Sequence, residues 1–213
     1  MNERSFLAMA VKNPSTPELT SKARRTRTAI VEAGYRLFVR QGYNATSMRQ
    51  IAEEVGLALG AAYNHFSSKE DIFVAVLMEH HPFHEIMPAL QSAQGKTVEE
   101  MVRNAASQMI EILGQRHDVL NLMFIELVEF EGQHLSQLFD TFFPPLMEFA
   151  QRFTQAEGPL RDVPLPVVLR AFVGLFFSYF ITELLIGQQL PPKLREGAFD
   201  HFVDVYLHGI LEK

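Results

Sequence analysis

Residues 46–70 read TSMRQIAEEVGLALGAAYNHFSSKE. Apolar residues recur at helical spacing in its first half and are expected to face inward: Met48, Ile51, Ala52 and Val55. Gly56 then interrupts the pattern, and a second short helix is predicted over 58–65 with Ala62 at a core position. Two short helices joined by a tight turn are typical of a helix-turn-helix, whose second helix enters the major groove of DNA.

Helical periodicity continues on both sides of this stretch, and strand patterns are nearly absent. A helix is predicted over 21–41, ended by Gly42 in a left-handed turn, and Thr46 is expected to cap the next one. Ser67-Ser68-Lys69-Glu70 is a capping pattern for a fourth helix that runs to residue 77. Longer helices follow over 97–115, 118–130, 135–155, 166–187 and 194–211, the third of them interrupted by Pro144-Pro145. The predicted fold class is all-α.

Charge divides unevenly along the chain. The whole sequence carries a formal charge of −6, but residues 1–70 hold ten Lys and Arg against six Glu, a net +4. The remainder is at −10. This asymmetry favours a basic DNA-facing module on an acidic body, although chance would also give so modest a positive charge.

Several residues of the basic module suit DNA better than scaffold. Arg24, Arg25 and Arg27 crowd the start of the first helix, where the macrodipole disfavours cations, so phosphate contact competes with a merely solvated face. Thr46 and Ser47 offer free backbone N–H groups to a phosphate, Lys69 lies in a similar first turn, and Arg49 can read guanine. The second short helix presents the other candidates: Leu59, Gly60, Ala61, Tyr63, Asn64 and His65. Tyr63 and His65 can donate to phosphates and Asn64 can read adenine, while Gly60 allows close backbone approach to DNA or to another helix.

The stretch from Thr46 to Glu70 resembles the signature of the tetracycline-repressor (TetR/AcrR) family. Thr46, Ile51-Ala52, Gly56, Gly60, Tyr63, Phe66 and Ser68-Lys69-Glu70 stand at that family's spacing. The resemblance covers about 21–77 and implies a homodimer on a near-palindromic operator. It also implies phosphate contacts by Thr46, Tyr63, His65 and Lys69.

Two positions depart from that signature. Ala58 stands where the family usually places a capping Ser or Thr, which removes a cap of roughly 1 kcal/mol. Leu59 stands where a polar residue is common, and it either contacts a thymine methyl group or packs locally.

The C-terminal two thirds are rich in aromatic and thioether side chains. Fifteen of the 18 Phe and six of the nine Met follow residue 70. Such side chains line adaptable pockets, although each by itself more often belongs to a core. With the expected break at Pro144-Pro145, they predict an effector pocket for a small hydrophobic ligand among Phe83, Met87, Met109, Phe124, Val128, Phe142, Phe143 and Phe176. Glu126 and Glu129 are expected to point outward.

The last two predicted helices are the candidates for dimerisation. Gly174 and Ser178 would let another helix approach closely, and the family resemblance implies a four-helix bundle across a two-fold axis. The predicted interface consists of Gly174, Phe177, Ser178, Ile181, Leu185, Phe202, Val205 and Tyr206. The predicted organisation is a flexible tail (1–20), a helix-turn-helix DNA-binding domain (21–70) and an effector-binding and dimerisation domain (71–213).

Other functional classes find little support in the sequence. Cysteine is absent, which excludes thiolate chemistry, and no nucleophile-plus-base arrangement supports an enzyme. The histidines around Pro82 lack metal-binding spacing, so neither a metal nor a cofactor is expected. The apolar run at 171–182 is shorter than a membrane span and no signal-peptide pattern is present, so a cytoplasmic protein is expected. The alternative is a DNA-binding protein whose C-terminal body docks a protein partner instead of a small molecule.

Overall fold

The computed structural model describes residues 21–116, 118–158 and 160–211. Over these ranges the chain is all-helical, and only isolated bridges join Thr97 to Glu157 and Leu160 to Leu211. The predicted tail at 1–20 lies outside the described residues. The helices are α1 (Ser21–Gln41), α2 (Met48–Glu54), α3 (Leu59–Tyr63), α4 (Lys69–His80), α5 (Phe83–Ser92), α6 (Val98–Gln115), α7 (Asp118–Glu129), α8 (Leu135–Gln151), α9 (Leu165–Ile186), α10 (Pro192–Arg195) and α11 (Ala198–Ile210).

The helix ends explain how the chain turns. Gly42 and Gly56 have φ values of 84° and 69°, a left-handed conformation that costs glycine little. The predicted cap at Thr46 is wrong by one residue: Ser47 caps α2, and its hydroxyl accepts the amide of Gln50 at 3.2 Å. Ser68 caps α4, as its sequence pattern predicts.

The first four helices share one buried cluster, which we call the N-terminal core. Its centre includes Ile30, Phe38, Ile51, Ala62 and Phe73, and α7 and α8 contribute Leu122, Phe130, Leu138 and Phe142. The helices α1 and α4 can approach closely because Gly34 has no side chain: a Cβ atom built there would lie 2.6 Å from Ile72 Cγ2. The helix α4 therefore packs against α1 to α3 and also against α7 and α8 of the C-terminal body.

A second cluster, the body core, is formed by α5, α6, the end of α8, α9 and α11. Phe149, Phe172 and Phe176 are almost fully buried in it. The helix α9 contributes one face to this core and leaves the other exposed. By length and hydropathy α9 also qualifies as a membrane-spanning helix, with 28% of its most apolar window buried.

Three helix predictions need correction. The sequence pattern does not predict α5, because Pro82 and Pro88 are typical of helix breaks, yet α5 runs from Phe83 to Ser92 with Pro88 inside it. The predicted interruption at Pro144-Pro145 is wrong, since α8 continues from Leu135 to Gln151. Buried residues on both sides of the prolines hold it against the two cores, and such packing dominates helix stability in proteins. The predicted helix over 194–211 is divided by Gly197, whose φ of 69° separates α10 from α11.

Candidate DNA-binding and effector sites

The helix-turn-helix is formed by α2, the turn at Gly56 and α3. Ala62 is fully buried and Ile51 and Ala52 nearly so, which fixes α3 across α2. The opposite side of α3 is open, and Tyr63 is 50% exposed at its end. Asn64 is exposed beside it and His65 is half-buried. The predicted reading residues therefore share one accessible surface.

Gly60 has no packing partner that would explain its presence. A Cβ atom at this position would meet nothing within 4 Å. The tight inter-helix contact considered from sequence is therefore excluded, and close approach by DNA remains. Leu59 packs against the N-terminal core, and Ala61 is half-buried. Ala58 makes no side-chain cap bond, in agreement with its departure from the family signature.

The basic residues of this domain fall into two groups. Arg24, Arg25 and Arg49 are exposed, and no ion pair joins them to a described residue. Arg27 is engaged within the protein: its guanidinium lies 2.8 Å from Glu79 and 4.8 Å from the ring centre of Phe66. The free arginines are thus better placed for phosphate than Arg27.

Thr46 serves the fold with its side chain. It is 2% exposed, and its hydroxyl donates to the carbonyl of Gly42 at 2.8 Å. The expected phosphate contact by this hydroxyl is inconsistent with such burial. Ser47 is exposed and caps α2. The expectation of free backbone N–H groups is wrong for both residues, because Ser47 N–H donates to the Gln50 side chain at 2.9 Å and Thr46 N–H donates to the carbonyl of Tyr43 at 3.1 Å.

Lys69 also has an internal role that the sequence did not predict. Its ammonium donates to the carbonyls of Tyr43 at 2.7 Å and Thr46 at 2.8 Å, and it lies 3.9 Å from the centre of the Tyr43 ring. Burial lowers the pKa of Lys69. The residue thus ties the start of α4 to the loop before α2 with two of its three ammonium hydrogens, which favours a structural role over the expected phosphate contact.

An apolar pocket opens in the C-terminal body beside the end of α4. Its volume is about 260 Å³. It lies between α5, α6 and α9, with contributions from α7 and α8. The lining residues are His81, Pro82, Phe83, Ile86, Leu90, Met109, Leu113, Met123, Leu146, Val173 and Phe177.

The predicted pocket residues are only partly brought together. Phe83 and Met109 line the pocket, and Phe142 stacks behind Phe83 with ring centres 4.0 Å apart. The remaining five do not line it. Met87 and Phe176 are buried in the body core, Phe124 and Val128 are 54% and 73% exposed, and Phe143 stacks on Phe139. The physical reason is helix rotation: composition indicates an apolar helix but not which face meets a cavity.

Among the lining residues, His81 is the one that could have been noticed from the sequence. It follows α4 directly, and its Nδ1 accepts the amide hydrogen of Phe83 at 3.2 Å. Burial, followed by repulsion from His84 and Arg116, lowers the pKa of His81 to about 4. The imidazole is therefore neutral at physiological pH.

A polar cluster joins the DNA-binding helices to this part of the body. The Tyr35 hydroxyl on α1 donates to Asp118 on α7 at 2.7 Å, and Arg116 binds Asp118 and Glu85. Burial and the hydrogen bond to Asp118 raise the pKa of Tyr35 to about 12. Arg116 also donates to the carbonyl of His80, the last residue of α4. Movement of α4 would therefore disturb a bonded network.

The two glutamates of α7 behave differently. Glu129 is exposed, as expected, and accepts from Asn44 at 2.7 Å. The outward expectation for Glu126 is wrong: it is 0% exposed and accepts from His134 through both the backbone amide and Nδ1. Because the Glu126 carboxylate is hydrogen-bonded to His134 and does not line the pocket, Glu126 is not available to bind a ligand there.

Most predicted dimer residues lie on the open face of α9 and α11. Gly174, Ser178 and Val205 border a surface groove of about 730 Å³, and Leu185 is exposed further along α9. Ile181 and Phe202 are half-buried. Phe177 is 40% exposed but also lines the pocket. Tyr206 also lines the groove, but it is 3% exposed and its hydroxyl donates to the carbonyl of Val168, so it offers little surface to a partner.

The helix-turn-helix and the chain as a whole resemble known bacterial transcriptional regulators. Residues 30–76 match the sequence profile of bacterial regulatory proteins of the tetR family. The HTH-type transcriptional regulator YvkB of Bacillus subtilis is 24% identical over 196 residues, which covers 88% of this chain and 98% of YvkB. The HTH-type transcriptional regulator SrpR of Pseudomonas putida is 27% identical, over 78% of this chain and 76% of SrpR.

The fold is also similar to that of TetR-family regulators of known structure. A TetR-family transcriptional regulator from Mesorhizobium loti superposes with a TM-score of 0.68 at 20% identity, covering 90% of this chain and all of the other. The match of residues 30–76 includes the helix-turn-helix described above, and the structural similarity extends through the C-terminal helices. Residues 30–76 thus match the DNA-binding region of bacterial regulatory proteins of the tetR family, and the described residues share the fold of TetR-family regulators.

Proposed function

We propose that this chain is a homodimeric repressor that binds a near-palindromic operator and is released by a small apolar or amphipathic effector. The observation that carries the proposal is the position of α4 between the two sites. At its start, Lys69 holds the loop before α2. Directly after its end, His81 and Pro82 line the pocket. A ligand in the pocket therefore contacts the segment that continues α4, and displacement of α4 moves the reading helices.

The pocket also bears on the alternative, a body that docks a protein partner. A solid C-terminal core would favour that alternative. The cavity of about 260 Å³ with its apolar lining supports a small-molecule effector instead.

A second copy of the chain is the proposed partner of the open α9–α11 face. The small residues Gly174 and Ser178 permit close approach of another helix, while Leu185 and Val205 supply apolar area. A two-fold dimer can set two reading helices about 34 Å apart, one turn of DNA. The same covering explains the hydropathy of α9 without a membrane, and the protein then belongs in the cytoplasm with its operator.

The DNA-binding proposal is tested by selecting bound fragments from random duplex DNA and measuring affinity by fluorescence anisotropy. Tyr63→Ala should weaken binding to every sequence alike. Arg49→Ala and Asn64→Ala should cost about 1–3 kcal/mol on the selected operator and relax base preference as well. Lys193→Ala, on the distant α10, is the control. Failure of the wild type to bind any duplex in dilute buffer would refute the proposal.

Release by an effector is tested with one matched pair of variants. Val173→Phe adds bulk at the pocket lining, whereas Val128→Phe makes the same change at an exposed site outside it. Compounds that release the wild type from its operator should need at least about tenfold higher concentration for Val173→Phe, the equivalent of 1.4 kcal/mol. Val128→Phe should respond like the wild type. Equal responses of both variants would place the effector elsewhere.

A further inference from the structure

The chemistry of the pocket lining is nearly uniform. Of the eleven described lining residues, ten have hydrocarbon or thioether side chains, and His81 alone has a polar one. The pocket thus offers a ligand extensive apolar contact and one side chain able to form a hydrogen bond.

The bonding of His81 decides which kind of hydrogen bond it offers. Nδ1 is already an acceptor for the Phe83 amide, so the proton of the neutral ring is on Nε2. The Nε2–H has no acceptor among the described residues. His81 is half-buried, so its Nε2–H is accessible from the pocket, and a ligand that supplies an acceptor gains a hydrogen bond there.

Ionic ligands suit this lining poorly. A charge that leaves water for an apolar site needs a partner of opposite sign, and no carboxylate stands among the described lining residues. His84 and Arg116 both repel positive charge at His81, which disfavours a cation further. One face of the Phe83 ring is covered by Phe142, with ring planes 16° apart. That face is not available to hold a cation.

The pocket volume limits the size of the ligand. An apolar cavity of about 150 Å³ holds benzene, so 260 Å³ corresponds to about ten non-hydrogen atoms. Val173 and Phe177 are 38% and 40% exposed, so the pocket opens to solvent at its α9 side and a ligand can enter there.

We infer that the effector is a neutral, largely apolar molecule of about ten non-hydrogen atoms whose single hydrogen-bond acceptor binds the Nε2–H of His81. The inference rests on the proposed function and specifies its ligand class. It is carried by the bonding of Nδ1, the apolar lining and the cavity volume.

Four probes with a phenyl ring and a four-carbon chain test this inference on the full-length protein. Butyrophenone is neutral with one acceptor, butylbenzene has none, 4-phenylbutylamine is a cation and 4-phenylbutyrate is an anion. Dissociation constants come from calorimetry, and the methyl NMR signals of Met109 and Met123, which line the pocket, report where each probe binds. Butyrophenone should bind about fivefold tighter than butylbenzene, and the charged probes should bind more weakly than either.

Variants assign this preference to His81. His81→Leu removes the donor, and the ratio between butyrophenone and butylbenzene should fall to about one. His81→Asn is the second variant, because its amide oxygen can still accept from Phe83 while its shorter side chain does not reach the Nε2 position. His84→Asn, at an exposed histidine outside the lining, should keep the fivefold ratio.

The outcomes separate this inference from the proposed function. Tighter binding of a charged probe at Met109 and Met123, or a fivefold ratio that persists in His81→Asn, overturns the ligand class while the pocket stands. Absence of binding by all four probes also overturns the inference. Operator release by a different compound, blocked by Val173→Phe, would still support the proposed function.

Discussion

At the scale of single residues, Lys69 shows how a residue expected at the DNA surface serves the fold. Replacing it by Met removes two hydrogen bonds from a charged group and should lower the free energy of unfolding by about 2 kcal/mol in urea titrations. The slope of log affinity against log salt should not change, because no phosphate contact is lost. Arg25→Ala should reduce that slope by about one. A reduced slope for Lys69→Met would instead show that Lys69 contacts a phosphate group.

The half-buried His81 predicts a pH dependence of stability. The pKa of His81 is about 4 in the folded protein and 6.5 ordinarily. Between these pH values the unfolded chain therefore binds a proton at His81 and the folded chain does not. The stability from this residue is fully present above pH 6.5 and is lost as pH falls towards 4. Wild type should lose on the order of 3 kcal/mol more than His81→Asn over that window, by urea titration at each pH. Parallel pH profiles for the two proteins would contradict the shift.

At the scale of elements, α3 combines weak local stability with an open surface. Gly60→Ala should raise the free energy of unfolding by up to about 1 kcal/mol, because Ala favours helix and the methyl group meets open space. Operator affinity should nevertheless fall, since the methyl group lies where DNA approaches. Ala58→Ser, which adds the missing N-cap, is the matched control: it should stabilise α3 similarly without weakening DNA binding. Unchanged operator affinity for Gly60→Ala would contradict the close approach of DNA to Gly60.

In the proposed function α4 couples the two sites, since it shares the N-terminal core and ends at the pocket. The ion pair between Arg27 and Glu79 and the network of Tyr35, Asp118 and Arg116 hold it in place. These contacts lie between the sites, so they contribute to the energy that an effector must supply to move α4.

At the scale of the whole molecule, the exposed α9–α11 face predicts the assembly. Leu185→Glu combined with Val205→Glu should convert the proposed dimer into a monomer in light scattering coupled to size exclusion, because two buried carboxylates in each copy would lack partners. Val128→Glu, at an even more exposed residue on α7, is the control and should remain dimeric. Dissociation by Val128→Glu alone would shift the interface to α7.

The sequence by itself determined the all-α class, the helix-turn-helix and the boundaries of α1, because these depend on local periodicity and turn residues. It also identified Tyr63, Asn64 and Arg49 as accessible, since a short helix anchored by Ala62 must expose its other side. Tertiary structure decided the rest. Burial turned Thr46, Lys69, Glu126 and Tyr206 inward, and the rotation of α7 and α9 chose Met123 and Phe177 for the pocket over Phe124 and Phe176. Those outcomes depend on contacts between residues far apart in the chain, which periodicity within one helix does not encode.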